Sequence, residues 1–79
     1  MREMYLTDLK DKQAAVIKQI EGGRTLEKRL EALGIRPGKE IMKVSGHFWR
    51  GPVTVRIGKS QMAIGHGMAQ KILVEVNDA

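Results

Sequence analysis

Leu26-Glu27-Lys28-Arg29-Leu30-Glu31-Ala32-Leu33-Gly34-Ile35-Arg36-Pro37-Gly38 reads as a short amphipathic helix, its stop signal and a turn. Leu26, Leu30 and Leu33 fall at i, i+4 and i+7, one stripe on a helical surface. Thr25 stands where a hydroxyl can accept a hydrogen bond from a first-turn amide, so the helix is expected over about 25–33. Glu27, Lys28 and Glu31 lie off the stripe, Lys28 and Glu31 as a weak i,i+3 pair. Gly34 supplies the left-handed residue that ends a helix, and Ile35 can then fold back onto the leucines. Pro37-Gly38 turns the chain into the next element. The residues on either side read as strand, so a lone helix interrupts a β-domain.

On the N-terminal side, Leu6-Thr7-Asp8-Leu9 reads as an entry segment whose leucines cover a core edge. Residues 13–20 are rich in Ala, Val and Ile and read as a strand. Their alternation is imperfect, so either both faces are partly covered or a bulge shifts the register. Glu21-Gly22-Gly23 is a turn. On the C-terminal side, strands are expected at 39–44, 53–57, 61–64 and 72–76, with a loop over 45–52 and a tight turn at Gly58-Lys59-Ser60. Val53, Val55 and Ile57 point inward and Thr54 and Arg56 outward. Residues 66–70 can form one short helical turn. Five short strands, Gly-rich turns and one helix predict a mainly β single domain over 1–79, a small closed or nearly closed barrel.

Seventy-nine residues with 42% hydrophobic content suffice for one small core. There is no cysteine, so neither disulfides nor thiolate metal sites contribute. No run approaches the roughly 18 apolar residues of a membrane span, and the start lacks the apolar stretch of a secretory signal. A soluble intracellular domain is the expectation. The net charge is +5, and its distribution is uneven. Residues 36–59 carry Arg36, Lys39, Lys43, Arg50, Arg56 and Lys59 against Glu40 alone. Such a region suits an acidic protein surface, lipid headgroups or nucleic acid, and equally a solvated hairpin face.

Catalysis finds little support. Ser45 and Ser60 sit in turns with no Ser/His/acid setting, and the glycines form no phosphate-binding G-x-x-x-x-G-K-[S/T] loop. The metal candidates are His47, His66, Glu40, Met42, Met62 and Met68. The histidines lie nineteen residues apart without His-x-x-x-His or Glu-x-x-His spacing, and methionines at strand spacing are more often flexible core fillers. No metal site and no cofactor is assigned. The segment His47-Phe48-Trp49-Arg50 is the best partner-binding candidate, with Arg56 nearby in sequence. It holds the only Phe and Trp beside an Arg, the residue types that anchor interfaces. The competing reading is a ring that plugs one end of the barrel. Arg29 is expected to cover apolar surface with its stem.

The order Leu6-Thr7-Asp8-Leu9, Ala15-Val16, Gly22-Gly23, Arg29-Leu30…Leu33-Gly34-Ile35-Arg36-Pro37-Gly38, Gly51-Pro52-Val53, Ile57-Gly58 and Met62-Ala63-Ile64-Gly65 resembles the FeoA family, the small cytosolic component of bacterial ferrous iron transport. The resemblance covers roughly residues 6–76. It implies an SH3-like barrel with an inserted helix, and a partnership with FeoB, a membrane protein with a cytosolic GTP-binding domain. Two departures stand out. Asp11-Lys12 occupies a turn where the family often has glycine, and His66-Gly67 stands where it has a better helix former.

The function expected from this resemblance is that of a non-enzymatic accessory protein of ferrous iron uptake. It would be cytoplasmic, be recruited to the inner face of the membrane by a FeoB-like GTPase, and modulate transport or GTP turnover. Two alternatives belong to other classes. One is a basic barrel binding single-stranded nucleic acid, for which three aromatic residues are a thin supply. The other is a metal-sensing module related to the C-terminal domain of DtxR-type repressors. Weak self-association through the aromatic loop is a further expectation.

Overall fold

The computed structural model describes residues 1–46 and 50–77. Six strands form one antiparallel sheet: β1 (Arg2–Tyr5), β2 (Ala14–Ile20), β3 (Glu40–Ser45), β4 (Val53–Ile57), β5 (Ser60–Ile64) and β6 (Ile72–Val76). The spatial order is β1-β6-β2-β3-β4-β5. The last strand thus lies between the first two, and β2 to β5 follow as a meander. Helix α1 (Arg24–Glu31) joins β2 to β3, and a single turn, α2 (His66–Ala69), joins β5 to β6. A 3-10 turn at Leu6–Asp8 follows β1. It touches α2, and Leu6 and Ala69 from these two turns are fully buried.

Five strands were expected and six are present among the described residues. Arg2–Tyr5 has no β-branched residue, which is why no strand signature shows. It gains its geometry by pairing with β6, Arg2 opposite Val76 and Tyr5 opposite Leu73. The irregular alternation of β2 resolves as a bulge between Ile17 and Gln19. The extra residue lets Ala15, Ile17 and Ile20 all face the core.

Helix α1 starts one residue earlier than expected, and Thr25 does not cap it. Gly23 is the N-cap, at φ 96, with no side-chain capping bond. Its carbonyl accepts from the Glu27 amide at 3.1 Å. Two consecutive glycines at positive φ let the chain enter the helix by a path other residues resist, and Thr25 then lies within the first turn. The helix also ends two residues early. The Gly34 amide donates to the Glu31 carbonyl and the Ile35 amide to the Leu30 carbonyl, both at 2.9 Å, with Gly34 at φ 87. This is the paired bonding of a Schellman stop. The reversal takes Leu33 off the buried stripe, leaving it 48% exposed, while Ile35 joins Leu30 at 0%. The Arg36 carbonyl accepts from the Lys39 amide at 3.2 Å around Pro37 and a Gly38 at φ 91, the pattern of a type II turn.

The core gathers Leu30 and Ile35 from the helix region with Ile17, Ile41, Val55, Ile72 and Val74 from the sheet. Met62 and Met68 pack against it as partly buried fillers. No buried polar or charged residue occurs among the described residues. Lys43 shows how a charge is managed at the margin. Opposite the buried Val55, it sends its ammonium to the carbonyls of Leu9 at 2.8 Å and Thr7 at 3.3 Å. The stem packs inward and the charge meets backbone acceptors.

Candidate docking face

Alternation along the strands leaves one set of side chains on the core and the other on the outer face. Cross-strand partners share a face, so the pairings define two rows there. In the first, Ala14 faces Met42, Met42 faces Arg56 and Arg56 faces Gln61, across β2, β3, β4 and β5. In the second, Glu40 faces Val16, Val16 faces Glu75 and Glu75 faces Glu3, across β3, β2, β6 and β1.

The second row is acidic and internally compensated. Glu3 and Glu75 are direct neighbours, a repulsive placement. Lys18 bridges them, with a contact to Glu3 and one to Glu75 at 3.4 Å. Those two carboxylates, Glu3 first, raise the Lys18 ammonium above its ordinary value. Beside this row the Tyr5 hydroxyl donates to Glu21 at 2.7 Å. That hydrogen bond, with a smaller contribution from burial, raises the phenol as well.

The first row is not compensated in this way. A shallow groove of about 370 Å³ runs along it, lined by Ala14, Met42 and Ile57 with Lys39, Arg56 and Glu40 at the rim. A second depression of about 250 Å³ shares Ala14 and Glu40 and continues past Val16 towards Glu75. Arg56 is exposed and donates from Nη2 to Gln61 at 3.2 Å. Among the described residues neither Lys39 nor Arg56 has a carboxylate partner.

Of the partner-binding candidates, His47, Phe48 and Trp49 lie outside the described residues. Arg50 is exposed at φ 58 in the loop between β3 and β4. Arg56 belongs to the other end of β4. Three residues of strand, roughly 10 Å, separate it from Val53, where that loop ends. Arg56 therefore joins Lys39 and Met42 rather than Arg50. Ala14, Lys39 and Ile57 had not been singled out as site residues, and Met42 only as a metal candidate. Counting outward from the Gly58 hairpin pairs Arg56 with Gln61. The step to Met42 needs the register of β3, which the bulge between Lys43 and Ser45 hides. Arg29 is exposed on α1. Among the described residues no three His, Cys, Asp or Glu side chains gather as metal ligands.

The FeoA domain family model matches residues 4–76. An Fe(2+) transport protein A from Methanocaldococcus jannaschii is 34% identical over 73 residues, covering 91% of this chain and 87% of that protein. The crystal structure of an iron uptake regulatory protein (FeoA) superimposes with a TM-score of 0.85 at 24% identity, over 95% of this chain and 97% of that one. The solution structure of iron(II) transport protein A from Clostridium thermocellum gives 0.84 at 32% identity, over 92% of this chain and 45% of that one. A manganese-dependent transcriptional repressor gives 0.86 at 17% identity, with this chain spanning 42% of its length. The likenesses at 24% and 17% identity are ones of fold alone. The SH3-like architecture is common to these chains, and the six-stranded sheet with little helix is its form here.

Proposed function

The chain belongs to the FeoA family, and from that premise we propose that it is a non-enzymatic accessory protein of ferrous iron uptake. It docks on the cytosolic part of a FeoB-like membrane GTPase and modulates transport or GTP turnover. It works in the cytoplasm and reaches the inner face of the membrane through that partner. The family match over nearly the whole chain carries this reading. A face that keeps Lys39 and Arg56 exposed and without acidic partners among the described residues supports docking rather than chemistry. His47, Phe48, Trp49 and Arg50 remain a separate proposed aromatic-basic contact, and Arg56 the contact on the sheet.

Calorimetric titration of the purified cytosolic region of the GTPase into this protein, with Trp49 emission followed in parallel, tests the reading. Saturable heat with a change in emission is expected. Inertness of both that region and the full-length transporter at high micromolar concentration overturns it.

A further inference from the structure

The groove along Ala14, Met42 and Ile57 has a composition that restricts what can fill it. We propose that it receives a short, extended, acidic segment of the docking partner, one apolar side chain seated in the groove and an adjacent carboxylate held by Lys39 and Arg56. This inference rests on the docking function proposed above and names the surface that performs it.

Three features lead to that occupant. The first is size. At about 370 Å³ and open to solvent, the groove is at the small end of ligand pockets, which run from about 300 to 1,000 Å³. It accommodates one or two side chains of an extended chain rather than the face of a helix. The second is chemistry. The apolar part of the lining comes from Ala14 and Met42, with Ile57, which also packs on the core, at the end of β4, while the backbone of β3 is already paired on both sides, with β2 and with β4. Recognition must therefore run through side chains and not through strand addition.

The third is charge. The rim carries two cations and one anion. Elsewhere on the face Lys18 answers Glu3 and Glu75, while Lys43, on the inner side of β3, is committed to the carbonyls of Thr7 and Leu9. Lys39 and Arg56 are answered by no carboxylate among the described residues. Both line the same groove, and a planar guanidinium and an ammonium are each good partners for a carboxylate. Glu40 fixes direction, because an acidic residue entering over it meets a like charge and a neutral or basic one does not. The segment thus lies with its carboxylate over Lys39 and Arg56 and its non-acidic end towards Val16.

Two probes test this on the intact chain. One is a blocked peptide with a leucine flanked on one side by glutamates, compared with its counterpart bearing lysines. The other is the cytosolic region of the GTPase. In amide NMR spectra of the labelled protein at low salt, the acidic peptide is expected to shift Ala14, Lys39, Met42, Arg56 and Ile57. The lysine peptide should bind about tenfold more weakly or worse, and added salt should weaken the acidic one. Arg56→Glu and Lys39→Glu, both at exposed positions, are each expected to weaken the peptide and the GTPase region by about tenfold. Their spectra report whether the fold is kept.

Shifts confined to other surfaces, or unchanged affinity in both variants, overturn the groove while leaving docking in place. Absence of acidic-peptide binding by the wild type does the same. A GTPase region that binds neither wild type nor variants, alongside a peptide that still finds the groove, overturns docking and retains the chemistry of the groove.

Discussion

The segment from Arg24 to Gly38 and the outer face of β3 and β4 adjoin in the chain and are built on opposite terms. In the first, the apolar side chains that anchor it, Leu30 and Ile35, go inward. Both are wholly buried, and Gly34 and Gly38 take conformations that serve only to turn the backbone. In the second, Lys39, Met42 and Arg56 point away from the core and border a groove that the fold does not fill. A segment that spends its side chains on the core identifies the domain. A segment that leaves charge and apolar surface uncovered is where a partner can be recognised. The two should therefore respond differently to substitution, one in stability and the other in binding.

Leu30→Ala should separate them most. A buried leucine cut to alanine loses its transfer energy and leaves a cavity, about 2–5 kcal/mol. For a domain this small that is a large share of a total of about 5–15 kcal/mol. Urea unfolding should show it as a much lower midpoint. Gly34→Ala comes next, at about 1 kcal/mol destabilising. No atom lies within 4 Å of the added methyl group, so the cost is that of holding an alanine at φ 87. A near-wild-type midpoint would mean that the Schellman stop tolerates side chains here.

Lys12→Gly should act in the opposite direction. Lys12 sits at φ 67 in the turn before β2, where a glycine would be unstrained. Relief of left-handed strain, about 1–2 kcal/mol, exceeds the entropy cost of glycine, about 0.5–1 kcal/mol. A gain of up to about 1 kcal/mol in the same assay is expected, and a loss would show that the lysine rests there without strain. Arg56→Glu completes the contrast. At this exposed strand position stability should move by no more than about 0.5 kcal/mol, while partner binding falls. A large stability loss from Arg56→Glu would erase the distinction between the two regions.

The parts legible in the sequence follow the same division. Gly34-Ile35-Arg36-Pro37-Gly38 could be read because each residue type has few backbone uses, and the stop and the turn both formed. Val53, Val55, Ile72, Val74 and Val76 could be read because strict alternation leaves little choice of face. The start of α1 was misread because Thr25 is a good cap in isolation, while Gly22-Gly23 opened an earlier entry. Leu33 was misread because periodicity assumes that the helix continues. β1 was invisible because its pairing, not its composition, makes it a strand. The groove needed register. Basic residues crowd 36–59, but only the sheet shows that Lys43 is used internally while Lys39 and Arg56 meet Met42 and Ala14.

The smallest expected effect lies on the acidic row, where charge is answered within the fold. Lys18 has its ammonium raised above the ordinary 10.5 by hydrogen bonds to Glu3 and then Glu75. Tyr5 has its phenol raised above 10.0, chiefly by its hydrogen bond to Glu21. Both groups hold their protons more firmly folded than unfolded. Their contribution is whole below those ordinary values and is lost as the pH climbs through the raised ones. Stability should therefore fall on the alkaline side, by a small amount because the Lys18 pairs face solvent and the Tyr5–Glu21 bond is only partly covered. Lys18→Gln and Tyr5→Phe together should flatten that fall. Lys18→Gln alone also leaves Glu3 opposite Glu75 without a cation, so added salt should raise the stability of this variant relative to wild type. An alkaline slope and a salt response unchanged by these substitutions would show that the bridge on this row does not couple to folding. The contrast between an answered row and an open groove would then rest on geometry alone.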